Sequence, residues 1–181
     1  MKYLILSDLH GSIDSLEQVL HHFDEMSCDM LLLLGDLLNY GPRNSLPPGL
    51  DPKAVAERLS ALSSRIVAVR GNCDSEVDQM LMPFPLLADY AMVVDEGRRL
   101  FLTHGHVYNE ERHPAQGFDV LFCGHSHLQH ITPLLDGRVL VNTGSPTFPK
   151  GGNPPTFATY EAGTIRIHTL DGAVLAQHSL S

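Results

Sequence analysis

At 181 residues, with 43% hydrophobic and 18% charged residues, the chain is long enough to bury its own core and too apolar to be disordered. Its 12 Lys and Arg against 21 Asp and Glu give a formal net charge of −9, which disfavours tight binding to duplex nucleic acid, where cations must neutralise several phosphates. Three cysteines at unpatterned spacings fit a reducing cytoplasm better than a disulfide framework, the start reads as no signal peptide, and no apolar run approaches the roughly 20 residues of a membrane helix.

In chain order, the first half alternates strands with amphipathic helices. "KYLILS" (2–7) is short, β-prone and nearly all apolar, which predicts a buried strand. "SIDSLEQVLHHFDEM" (12–26) sets Ile13, Leu16, Val19, Leu20 and Phe23 at helical spacing, with Ser12 as cap. "DMLLLLGD" (29–36) predicts a second buried strand. "LDPKAVAERLSALSSR" (50–65) predicts a second helix, capped by Asp51, opened by Pro52, with Val55, Leu59 and Leu62 on one face. "RIVAVRGN" (65–72) is a third strand, and this alternation implies a parallel sheet with right-handed crossovers.

Beyond residue 85 the pattern turns to β with little helix. Residues 90–106 predict a hairpin turning around Asp95–Gly97, and "FDVLFCGHSH" (118–127) a strand ending in a polar loop. Segments 131–145, 157–170 and 171–181 carry DG or AG turns between β-prone runs and read as antiparallel hairpins. Their apolar face suits either core packing or a homo-oligomer interface. Loops 39–50 and 143–155, rich in Pro and Gly, are candidate walls of a site. No linker interrupts the pattern, so one domain over 1–181 is expected.

The polar residues gather at strand ends. Asp8 and His10 follow the first strand, Asp36 the second, Asn72, Cys73 and Asp74 the third, then His104 and His106, then His125 and His127. The carboxyl ends of parallel strands share one edge, where ligands bind. A donor set of carboxylates, an amide and imidazoles without a cysteine cage suits Mn, Fe, Co, Ni or Zn in a catalytic setting. About seven ligands are too many for one ion and suit two that share a carboxylate. D-x-H and H-x-H spacings let alternate side chains of extended backbone reach one centre.

In order and content, "DLH", "GD", "GNCD", "HGH" and "GHSH" resemble the calcineurin-like metallophosphoesterase superfamily, over residues 1 to about 150. Within it, "GDLLNYGPRN", "VRGNCDSEVDQML" and "PKGGNP" are similar to the small bacterial phosphodiesterases of the YfcE type. The resemblance implies an α/β fold, a four-layer α-β-β-α sandwich, and two divalent ions, Mn²⁺ first among Mn, Ni, Co, Fe and Zn. By matching positions, Asp8, His10 and His127 would hold one ion and Asn72, His104 and His125 the other, with Asp36 bridging. His106 would be a substrate-side contact, and Asp74 would orient a neighbouring histidine.

One position departs from the broad pattern. Many members carry His where this chain has Cys73, and a thiol is a poorer general acid and a weak hydrogen-bond donor. The implied activity is therefore hydrolysis of small phosphodiesters by an activated water, with little phosphomonoesterase activity. Asp36, Asn72, Cys73 and Asp74 would form the catalytic turn region, and Arg43 and Lys150 are the basic residues placed to hold substrate. A non-catalytic scaffold of the same fold, or a phosphomonoesterase or nucleotidase on the same centre, are the alternatives.

Overall fold

Two sheets face each other across a shared apolar layer in the computed structural model, which describes residues 1–180. The elements run β1 (Lys2–Leu6), α1 (Ile13–Glu25), β2 (Met30–Leu33), α2 (Pro52–Ser60), β3 (Ile66–Ala68), α3 (Glu76–Leu81), β4 (Tyr90–Asp95), β5 (Arg98–Thr103), β6 (Val120–Cys123), β7 (His130–Pro133), β8 (Val139–Asn142), β9 (Thr156–Glu161), β10 (Thr164–Thr169) and β11 (Val174–Ser179). The six-stranded sheet has the order β11-β10-β9-β1-β2-β3 and the five-stranded sheet β4-β5-β6-β8-β7.

Period-two alternation builds the layers. Along β1, Leu4 and Leu6 pack under α1 and α2 with Leu16, Leu20, Phe23, Val55 and Leu59, while Tyr3 and Ile5 face the other sheet. From that sheet Leu100, Leu102, Val120, Phe122, Val139 and Val141 point back into the shared layer. Its outer face carries Phe101, Leu121, Cys123 and Leu140, covered by Phe118 and Tyr108. The sandwich is thus helices, sheet, sheet, and a last layer formed by the segment between β5 and β6, which is irregular where a helix is the simpler expectation.

The caps read from sequence are present: Ser12 Oγ accepts the Ser15 amide at 3.2 Å and Asp51 Oδ1 the Ala54 amide at 3.0 Å. The second helix is shorter than 50–65. It ends at Ser60, and Ser63–Arg65 forms a single 3-10 turn, because the chain must redirect into β3 directly afterwards. Short α3 is an addition to the expected elements, although "SEVD" holds its signal: the Asp78 carboxylate accepts the Ser75 amide at 2.7 Å.

The sheet topology corrects the idea of a single parallel edge. Strands β1, β2 and β3 are parallel in the first sheet, and β5, β6 and β8 are parallel in the second. The polar strand ends therefore come from two sheets packed face to face. The parallel pairing of β6 with β8 was hidden because β7, antiparallel to β8, intervenes in the chain as the expected hairpin. No helix among the described residues is long and apolar enough to cross a membrane.

Candidate metal centre

The loops after β1 and β2 run side by side, tied by the amides of Asp8, His10 and Gly11, which donate to the carbonyls of Gly35, Asp36 and Leu37. This ladder holds Asp8, His10 and Asp36 in left-handed backbone, with φ of 57°, 53° and 54°. His125 and His127 share that conformation at 63° and 60°. Non-glycine residues rarely adopt it, and clustering of such residues is typical of functional sites.

Each carboxylate is divided between scaffold and centre. Asp8 Oδ2 accepts the Ser7 hydroxyl at 2.7 Å and the His125 amide at 2.8 Å, leaving Oδ1 facing inward. Asp36 Oδ1 accepts the Cys73 amide at 2.7 Å, while Oδ2 faces His104 and His10 at 3.6 and 3.9 Å. Space at these contacts is tight: a Cβ on Gly71 would collide with Asp36, and one on Gly124 with Ser7 and Asp8.

The imidazoles are aimed by their outer nitrogens. Nδ1 of His10, His104 and His127 lies 2.8, 2.8 and 2.6 Å from the backbone carbonyls of Asn39, Leu34 and Phe148. A carbonyl can only accept, so Nδ1 carries the proton and, in the neutral rings, Nε2 presents a lone pair inward. Asp8 Oδ1 lies 3.2, 3.6 and 3.9 Å from Nε2 of His127, His10 and His104, is completely buried, and has no hydrogen-bond donor. Acceptor faces acceptor, so a bound cation resolves what the side chains leave unsatisfied.

Two groups of ligand atoms, Asp8–His10–His127 and Asp8–Asp36–His104, each lie within 4.8 Å of one another. Such clustered groups fit a dinuclear divalent-metal centre. Asn72 joins through its Oδ1, 3.1 Å from His104 Nε2, and the His125 ring stands 5.1 Å from that of His104. Without a metal, burial works to raise the Asp8 carboxyl, but His104, His10 and His127 in their protonated form outweigh it and hold the group well below its ordinary range.

Three residues sit differently from expectation. Asp74 touches no histidine: its carboxylate accepts the amides of Gly71, Asp36 and Leu37 at 2.7, 2.8 and 2.9 Å, so it clamps the β2 loop to the β3 turn. The sequence could not reveal this, because an aspartate beside a metal motif gives no sign of whether it meets side chain or backbone. Cys73 stands among the metal-facing groups as well as beside them. Its thiol groups with His10 and Asp36 within 4.8 Å, and burial, then the Asp36 charge, push it up to about 12.

His106 lies outside the cleft, its ring 5.3 Å from that of His104 and its buried Nδ1 without a partner. Arg43 and Lys150 line a cleft of about 890 Å³ together with Asn39, Asn44, Ser126 and the inner groups His10, Asp36, Asn72, Cys73, His125 and His127. Both Pro- and Gly-rich loops contribute to that wall. Ser145 and Thr147, unread in the sequence, fasten the second loop by donating to the Asp8 and Leu9 carbonyls at 2.8 Å each.

Comparisons with known proteins agree with this geometry. The calcineurin-like phosphoesterase superfamily domain matches residues 1–164. Phosphodiesterase YfcE of Escherichia coli (strain K12) is 44% identical over 186 aligned positions, covering 100% of this chain and 99% of the relative. A solved structure of Yfce, a phosphoesterase from E. coli, superposes with a TM-score of 0.96 at 43% identity over 100% of both chains. Vps29 of Chaetomium thermophilum shares the fold alone, with a TM-score of 0.68 at 17% identity over 100% of both chains. The chain belongs to the calcineurin-like phosphoesterase superfamily.

Proposed function

We propose that this chain is a metal-dependent phosphodiesterase acting on small diesters as one catalytic unit. Asp8, His10 and His127 would hold one divalent ion and Asn72, His104 and His125 a second, with Asp36 placed to serve both. The observation that carries the reading is the Asp8 carboxylate oxygen, buried and without a donor, facing three imidazole lone pairs. The relative that matches along the whole chain is named a phosphodiesterase, which supports the same conclusion.

When bound, the two ions, Mn²⁺ in our reading, supply hydroxide near neutral pH and offset charge on the phosphoryl oxygens. The protein's own part is to aim and hold. Carbonyls fix the Nδ1 protons of three histidines, so that Nε2 stays a donor of electrons to the centre. Asp74 fixes the turn that presents Asn72 and Cys73, and Arg43 and Lys150 face the cleft where an anionic ester enters. Cys73 is a weak hydrogen-bond donor beside the reaction, so a leaving oxygen receives little protonation and diesters with good leaving groups are favoured over monoesters. The three free thiols suit a reducing cytoplasm as its place of action.

Elemental analysis of reconstituted protein, paired with turnover of bis(p-nitrophenyl) phosphate and p-nitrophenyl phosphate at equal metal, tests this. About two ions per chain and faster diester hydrolysis are expected. A chain that binds no divalent ion, or prefers the monoester, overturns it.

A further inference from the structure

The diesterase reading leaves open which diesters fit, and the charges around the cleft bear on that. The chain has 12 Lys and Arg in a molecule of formal net charge −9. Most are tied up: Lys2, Lys53, Arg58, Arg99 and Arg138 pair with carboxylates, and Arg65, Arg112 and Arg166 donate to carbonyl oxygens. Among the described residues Arg43, Arg70 and Lys150 make no hydrogen bond or ion pair through their side chains. Arg43 and Lys150 line the cleft, and Arg70 stands directly before Gly71 and Asn72. In so acidic a chain, unneutralised cations concentrated around one site select for negative charge.

The lining chemistry narrows the choice further. Among the described residues the cleft wall holds no Phe, Tyr or Trp and no branched aliphatic side chain. Beyond the metal-facing histidines, a nucleobase therefore meets no aromatic ring on which to stack. Outside the metal-facing groups, the wall offers Asn39, Asn44 and Ser126, which hydrogen-bond to small polar substituents.

We propose that the substituent retained on phosphorus is small and non-aromatic and carries a second anionic group, held by Arg43 and Lys150. This rests on the diesterase reading above. A carboxylate and a phosphate are the same chemistry to a guanidinium and an ammonium, and both are met by charge-assisted hydrogen bonds.

Four esters sharing p-nitrophenol as leaving group test the point, with 2-carboxyethyl, propyl, choline or thymidine 5′ as the retained group. Water oxygen bonds to phosphorus as the bond to p-nitrophenolate breaks, giving p-nitrophenolate, the phosphate monoester of the retained alcohol and a proton. We expect kcat/KM for the carboxyethyl ester to exceed that for the propyl ester about tenfold, the size of one charge-assisted contact, with choline lowest and thymidine no better than propyl. In Arg43→Gln and Lys150→Gln that tenfold ratio falls towards one. A ratio near one in the parent protein, preference for the thymidine ester, or variants that slow both esters equally would overturn the assignment. Protein that binds two ions yet turns over none of the four esters removes the diesterase reading, and the substrate class falls with it.

Discussion

Left-handed backbone occurs at opposite ends of this molecule for different reasons. Glu96 and Ala162, with φ of 49° and 46°, each precede a glycine in the two-residue turns that join β4 to β5 and β9 to β10. There the conformation serves only to match the twist of the flanking strands. At the metal edge Asp8, His10, Asp36, His125 and His127 adopt the same conformation with φ between 53° and 63°, in loops fixed by a ladder of amides. At about 1–2 kcal/mol per residue the backbone cost is similar, but only at the metal edge does a side chain give a reason to keep it. Geometry decides the hairpin turns, whereas chemistry decides the ligand loops.

The hardest break in that contrast is Asp36→Ala. It removes an oxygen facing two histidines and should lower turnover of a chromogenic diester by at least about a thousandfold, with metal content falling in parallel. Full activity with two bound ions would show that the left-handed aspartate is a turn residue after all. Asp74→Asn leaves the ligands in place but replaces a carboxylate that accepts three buried amides. We expect a loss of about 1–3 kcal/mol in urea unfolding. Metal affinity should weaken about 10–100-fold by titration, since the clamp positions Asp36 and Asn72.

Paired glycine substitutions sharpen the comparison. Gly71→Ala meets the Asp36 carboxylate and amide and should cost about 1–3 kcal/mol by overpacking. Gly97 has open space around its Cβ position and φ of 82°, so Gly97→Ala costs only conformation, about 1–2 kcal/mol, with metal binding untouched. Equal effects of the two on metal affinity would erase the distinction. The smallest effect is a gain. Ala162→Gly relieves a left-handed alanine far from the site and should stabilise by up to about 1 kcal/mol in thermal melts with no change in kcat/KM.

The metal-facing residues and the groups that support them were unequally legible. Asp8, His10, Asp36, His104 and His127 could be picked from strand-end position and spacing, and the structure groups their ligand atoms. The role of Asp74 could not, because a carboxylate that serves backbone amides looks the same in sequence as one that serves a histidine. Ser145 and Thr147 escaped for a related reason: their hydroxyls act on residues 137 and 138 positions away. Arg70 is an ordinary strand-end arginine until the lack of a partner is seen in three dimensions.

Alternating apolar side chains on β1, β2, β5, β6 and β8 are written in the sequence, since period two assigns one set to each face of a strand whatever lies beyond. So are the helix caps and the AG and EG turns, which depend on residues three or four apart. Which strands become neighbours is not local, because pairing β6 beside β8 and setting one sheet over the other depend on how whole faces fit. Two sheets, each with its own parallel edge, were needed to bring the carboxylates of the first against the imidazoles of the second. Only that packing buries one Asp8 oxygen among lone pairs and turns a row of strand ends into a place for cations.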